Sequence, residues 1–215
     1  MTIGLFISCI NEPELPPEPS IKLKSLTFKD IPDDFQDSVI IEVEFKDGDG
    51  DLGLMDFDTL PPYNEMDSVR KFDNTGYVKL IDSTTPEYDT LPPYDPLVLC
   101  RYWRTVVPGD SNSIFYVNQN PHHFNFHCDV LVKQNNGSFE TYDFLDERCS
   151  PGLNSRFFIL NTTGKERPLE GILRFGTKLS LERLFPTQTL KLRIYIEDRR
   201  LNQSNVVESG EFSFN

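Results

Sequence analysis

Residues 47–53 read Asp-Gly-Asp-Gly-Asp-Leu-Gly. Three carboxylates at alternate positions in a glycine-rich loop gather hard oxygens in a small volume, and that donor set suits Ca²⁺. Crowded carboxylates also repel one another unless a cation or a proton screens them. Asp47, Asp49 and Asp51 fall at the first, third and fifth places of an EF-hand loop, with Asp58 at the twelfth. The match ends there. Leu52 stands where that loop needs glycine, and the flanking sequence has the pattern of strands, not helices. The expectation is a Ca²⁺ site in a turn after a strand. The alternative is a solvated acidic turn whose glycines serve sharp bends.

Other chemistry-bearing residues are weaker candidates. His123 and His127 are four apart, a spacing that shares a zinc ion on a helix. Phe124, Phe126, Cys128, Val130 and Val132 alternate around them, however, and alternation marks a strand. Four residues of strand span about 13 Å, too far for one ion. His122, His123 and His127 therefore read as surface histidines beside an aromatic strand. Tyr102, Trp103 and Tyr116, with Tyr63 and Tyr94, could form an aromatic platform for sugar or peptide, although aromatics of a sandwich more often fill its core. There is no Gly-x-Ser-x-Gly elbow, no His-Glu-x-x-His and no phosphate loop. A carboxylate pair for glycan hydrolysis stays open as an alternative, because 34 acidic residues allow many pairings.

The elements that must position these residues are strands. Val39, Ile41, Val43 and Phe45 alternate with Glu42 and Glu44; Leu190, Leu192, Ile194 and Ile196 alternate with Lys191, Arg193, Tyr195 and Glu197. Both are period-2 patterns of half-buried strands. Asn136-Gly137 between Val130–Lys133 and Ser138–Tyr142 predicts a hairpin. Further strands are expected at 21–28, 77–81, 97–104, 113–117, 156–160, 169–175 and 210–214, with at most one helical turn near 181–185. The expected fold class is all-β: an antiparallel sandwich in residues 21–215, with a Pro-, Tyr- and Asp-rich insertion at about 55–125. Asp58-Thr-Leu-Pro-Pro-Tyr63 recurs as Asp89–Tyr94. Paired prolines cannot sit in a central strand, so both copies belong to edges or loops.

A net charge of −13 argues against nucleic-acid binding, which needs clustered Lys and Arg, and against charge-driven attachment to anionic membranes. The 17 Phe and 8 Tyr supply a folded core. None of Cys9, Cys100, Cys128 and Cys149 forms a CxxC pair, so the readings are buried thiols or one disulfide among the last three.

Residues 3–8, Ile-Gly-Leu-Phe-Ile-Ser, end at Cys9 and resemble the cleavage box of bacterial lipoprotein signal peptides. No Lys or Arg precedes the run, and it is shorter than a usual signal core; a late start would account for both. In this reading 1–9 are residual signal with Cys9 as the lipidated residue, and the Pro-rich acidic stretch within 10–20 is an extended tether. Outside it no run approaches the ~18 apolar residues of a membrane span.

Two motifs carry a wider resemblance. Glu44-Phe-Lys-Asp-Gly-Asp-Gly-Asp-Leu-Gly53 resembles a strand and loop of uncharacterised cell-surface lipoproteins of Bacteroidota-type bacteria. Ile194-Tyr-Ile-Glu-Asp-Arg-Arg-Leu-Asn-Gln-Ser-Asn205 is similar to the last hairpin of bacterial immunoglobulin-like domains. Together the motifs span about 25 residues. The resemblance implies an immunoglobulin-like sandwich at the cell envelope, lipid-anchored to the outer membrane or facing the periplasm. It also places the two loops at one end of the fold, so that Asp198, Asn202 and Asn205 would complete the oxygen shell begun by Asp47, Asp49 and Asp51. The expected role is non-catalytic: binding or supporting a glycan or an envelope protein, with Ca²⁺ as a stabilising ion. The alternatives are a carboxylate-dependent glycan hydrolase and a purely structural envelope module.

Overall fold

Alternation decides the two central strands, and the rest of the fold is arranged around them. The computed structural model describes residues 15–29, 38–72, 78–80, 102–107, 110–179 and 181–214. Among these, the strands in chain order are β1 (Ser20–Lys29), β2 (Ser38–Asp47), β3 (Met66–Phe72), β4 (Val78–Leu80), β5 (Tyr102–Val107), β6 (Asp110–Gln119), β7 (Phe126–Lys133), β8 (Phe139–Thr141), β9 (Leu169–Lys178), β10 (Leu190–Ile196) and β11 (Val207–Glu208). Two short helices, α1 (Phe144–Arg148) and α2 (Leu181–Leu184), lie in connections.

The strands pair antiparallel in three sheets, of order β1-β2-β9, β11-β10-β7-β8 and β4-β3-β6-β5. The first two share one core. Val39, Ile41, Val43 and Phe45 from β2 pack with Phe126, Cys128 and Val130 from β7 and with Leu190, Leu192, Ile194 and Ile196 from β10. Phe126 stacks on Phe175 of β9 at 4.7 Å between ring centroids, which joins the two layers directly. Each such buried side chain stabilises the fold by about 1.5–3 kcal/mol. The chain is thus an all-β antiparallel sandwich in which β2 passes to β7 through the insertion, β8 returns to β9, and α2 leads from β9 to β10.

The third sheet is built within the insertion. Buried Asn120 ties the chain leaving that sheet to the chain entering it: its Nδ2 donates to the carbonyls of Pro62 and Asn64 at 2.5 and 2.9 Å, and its N–H donates to Glu65 at 3.0 Å. The first copy of the repeated hexapeptide forms the turns just before β3. The second copy lies outside the described residues.

The alternating strands and the Asn-Gly hairpin fall where expected, with Gly137 at φ +86°. Some expectations fail. Residues 156–160 are not a strand but an extended segment bonded to the continuation of the Asp/Gly loop, with Leu54 N–H on the Phe157 carbonyl and Leu160 N–H on the Leu52 carbonyl. The last strand is Val207–Glu208, and of 210–214 only Phe212 forms a bridge, with Leu190. Strand β3 and helix α1 were not anticipated. Residues 97–101 of the expected strand 97–104 lie outside the described residues. Cys149 is disulfide-bonded, whereas Cys128 is free and buried, so pairings that use Cys128 are excluded. Burial pushes the Cys128 thiol well above its ordinary range.

Candidate metal centre

The inward phase of β2 does not stop at its last apolar residue. Counting in twos from Val39 through Phe45 reaches Asp47, which is fully buried. The inward phase of β10 continues in the same way from Leu190 through Ile196 to Asp198, which is 2% exposed. Each core strand therefore runs off its apolar stripe onto a carboxylate at one end of the sandwich. A bridge between Leu52 and Asp198 locks the two loops together.

Asp47, Asp49, Asp51 and Asp198 each present an oxygen so that all four lie within 4.8 Å of one another. Crowding alone does not make a site. Here a second observation points to an ion. Both oxygens of Asp47, Oδ1 of Asp49 and Oδ1 of Asp51 are buried without a hydrogen-bond partner. The Gly50 and Asp51 amides favour the Asp47 carboxylate from nearby but do not reach hydrogen-bond geometry. A buried carboxylate oxygen left unpaired is costly, so such groups are paired or coordinate metals. Asp198 differs: Oδ1 accepts from the N–H groups of Arg200 and Asn202, and Oδ2 from Asn202 Nδ2, all at 2.8 Å.

The electrostatics follow from that geometry. Burial, then the charges of Asp49 and Asp198, push Asp47 up to about 6. Burial, then Asp198, Asp49 and Asp47, push Asp51 up to about 7. Burial also raises Asp198, against the hydrogen bonds from Asn202 and Arg200. Without a cation the cluster resists full ionisation near neutrality. An all-carboxylate oxygen set at the end of a strand has the hardness Ca²⁺ prefers, and it lacks the nitrogen and sulfur donors of zinc sites.

The glycines of the loop serve close packing as well as turning. Gly50 has φ +72°, and a Cβ there would stand 2.2 Å from the Arg167 carbonyl oxygen. Gly53 has φ +107°, and a Cβ there would stand 2.3 Å from the Phe158 carbonyl oxygen. Only glycine fits either place.

The remaining expected site residues are distributed as follows. Asn202 buttresses Asp198 at the edge of the cluster. Asn205 is not in it: its amide exchanges two hydrogen bonds with the backbone of Ile21 in β1, at 2.8 and 3.0 Å. That clasp joins the two sheets and uses both ends of the amide. Asp58 is also elsewhere, paired with Arg199 at 2.6 Å, which holds its carboxyl below the usual range. Tyr102 and Tyr116 are register partners in β5 and β6, and Trp103 is partnered with Phe115. Tyr63 donates its hydroxyl to the Arg199 carbonyl and lies under the Arg199 guanidinium. Cys9, Cys100 and Tyr94 lie outside the described residues.

The histidines are placed differently from expectation. His122 and His123 sit in a single 3-10 turn, Pro121–His123, not in the strand. His127 is on β7 but buried, stacked flat on Tyr195 at 4.3 Å. Glu197, expected to face outward, is buried as well, with His122 Nδ1 2.9 Å from Oε2 and Gln203 Nε2 2.8 Å from Oε1. The site residues missed from sequence are Arg200 and Glu166. Arg200 pairs with Asp49 at 2.5 Å, with Asp51 at 3.8 Å and with Glu166. Partners 34 and 151 positions away leave no local signal.

Comparison of the chain with protein-family models, curated proteins and solved structures finds no match in any of the three.

Proposed function

We propose that the chain is a Ca²⁺-stabilised, non-catalytic immunoglobulin-like module of the cell envelope, lipid-anchored through Cys9, whose insertion serves a glycan or protein partner. The observation that carries this reading is Asp47: a fully buried carboxylate with both oxygens unpartnered, in a group of four. The strand order supports the immunoglobulin-like assignment. The β1-β2-β9 and β8-β7-β10-β11 sheets correspond to an A-B-E sheet facing a C′-C-F-G sheet, with the insertion in the B–C connection. In such domains the B–C and F–G loops share one end, where Asp47–Asp51 and Asp198 meet. A disulfide at Cys149 fits an oxidising compartment. Among the described residues no helix is long and apolar enough to cross a membrane.

The hydrolase alternative loses ground at this cluster. Glycosidase carboxyl groups stand about 5–9.5 Å apart and flank a sugar. Here four carboxylates converge on one point, one oxygen of each lying within 4.8 Å of the others, and Asp47, Asp49 and Asp198 are buried. The arrangement suits an ion that stiffens loops, which in turn would hold the root of the insertion.

Two experiments test the proposal. Melting in a few millimolar Ca²⁺ should exceed melting in EDTA by about 2–8 °C, from a gain of about 1–2 kcal/mol at a Kd of about 10⁻⁴–10⁻³ M. Labelled palmitate should enter the full-length product in its native host, and Cys9→Ala should abolish labelling. Label that survives the substitution removes the anchor.

A further inference from the structure

The outer oxygen of Asp49 is held as specifically as its inner one is left bare. Asp49 Oδ2 lies 2.5 Å from Arg200 Nη1, while Asp49 Oδ1 is buried and unpartnered. Asp51 Oδ2 lies 3.8 Å from Arg200 Nε, while Asp51 Oδ1 is again buried and unpartnered. The backbone N–H of Arg200 donates to Asp198 Oδ1 at 2.8 Å. The remaining arm of the guanidinium, Nη2, bonds Glu166. The Glu166 loop is itself fixed to the site, because Arg167 N–H donates to the Asp49 carbonyl at 3.1 Å.

We propose that Arg200 is the positioning residue of the ion site: it stays outside the ligand set and turns the inner oxygen of Asp49 toward the point shared with Asp47, Asp51 and Asp198. This rests on the reading of the cluster as a Ca²⁺ site. The guanidinium suits the task because its planar fork reaches several oxygens in fixed directions, which an ammonium does not do. The role is geometric and not a matter of ion-pair strength. The Arg200 side chain is half exposed and Glu166 is 72% exposed, so solvent screens their pairing. Holding a ligand's far oxygen is how groups behind a metal's ligands orient them, and their loss typically weakens metal binding 10–100-fold.

A different role for Arg200 would give the opposite sign. A guanidinium that only neutralised surplus acid would compete with a divalent cation, and its removal would tighten binding. Arg200→Gln, Arg200→Lys and the parent should therefore be titrated with Ca²⁺ by calorimetry at pH 8. Tb³⁺ luminescence lifetimes in H₂O and D₂O should be compared on the same proteins. The expected result is a 10–100-fold loss of Ca²⁺ affinity in both variants. Lys should rescue little, and Tb³⁺ should carry additional water where Asp49 has swung out. Arg200→Gln binding Ca²⁺ as tightly as the parent, or more tightly, overturns the positioning role and leaves the site standing. A parent that binds neither ion overturns the site and the positioning role together.

Discussion

Asp47→Asn should reverse its sign with the metal. In EDTA at pH 8 the parent must keep a fully buried carboxylate ionised among three others. Raising that carboxyl from 3.8 to about 6 corresponds to about 3 kcal/mol of penalty on the ionised form. The amide removes the charge but must find partners, since a buried polar group left unpaired costs about 1–3 kcal/mol. The bare Oδ1 atoms of Asp49 and Asp51 are available acceptors for its Nδ2. The net expectation is a gain of about 1–2 kcal/mol, or about 2–8 °C in melting temperature. In millimolar Ca²⁺ the order reverses, because the parent gains from the ion and the variant has lost a ligand charge. Near pH 4 the two should converge, because Asp47 is then protonated in the folded parent. Differential scanning fluorimetry over pH 4–8, with and without Ca²⁺, reads all three regimes. A variant less stable than the parent in EDTA at pH 8, or one with an undiminished response to Ca²⁺, refutes the reasoning.

Two further outcomes follow from the same geometry. Folded-state values above the unfolded ones for Asp47 and Asp51 mean stability that is complete below about pH 4 and lost as pH rises through about 6 and 7. Urea denaturation in EDTA should accordingly show the cluster's contribution falling from pH 5 to pH 8, and added Ca²⁺ should flatten that fall. Gly53→Ala should destabilise by at least about 2 kcal/mol in either condition, because it combines a strained positive φ with a Cβ 2.3 Å from the Phe158 carbonyl oxygen; an unchanged denaturation midpoint would contradict that packing.

How much of this was legible in the sequence differs by element. The strands β2 and β10 could be read because an apolar residue recurs at every second position and both faces differ. The Asn-Gly hairpin could be read because the turn demands positive φ. Strand β3, Met-Asp-Ser-Val-Arg-Lys-Phe, has no such alternation, and only its pairing with β4 and β6 reveals it. Helix α1 is five residues long, too short to show a period, although its N-cap Asp143, which accepts from Leu145 and Asp146, was a usable sign. Residues 156–160 have strand-like composition but sit beside a loop, where only scattered bonds form. At the site, the Asp/Gly loop was visible as a cluster of oxygens. Its burial was visible too, had the period-2 count been carried past Phe45 to Asp47 and past Ile196 to Asp198. Asn205 was misplaced because the resemblance brought the whole last hairpin to the acidic loop, whereas the fold uses its amide to clasp Ile21. Arg200 was invisible as a partner of Asp49, since only the packing of distant loops brings them together.

On the proposed reading, four carboxylates at the end of the sandwich hold one Ca²⁺. Calorimetric titration of EDTA-stripped, desalted protein with CaCl₂ at pH 7 tests it most directly, run in two buffers of different ionisation enthalpy so that proton release is read alongside binding. The expected result is one ion per chain, a Kd at or below about 10⁻³ M, much weaker binding of Mg²⁺, and release of protons from the raised carboxyls. Heats that do not saturate with Ca²⁺, or equal binding by a variant carrying Asp47→Asn and Asp198→Asn, would contradict it.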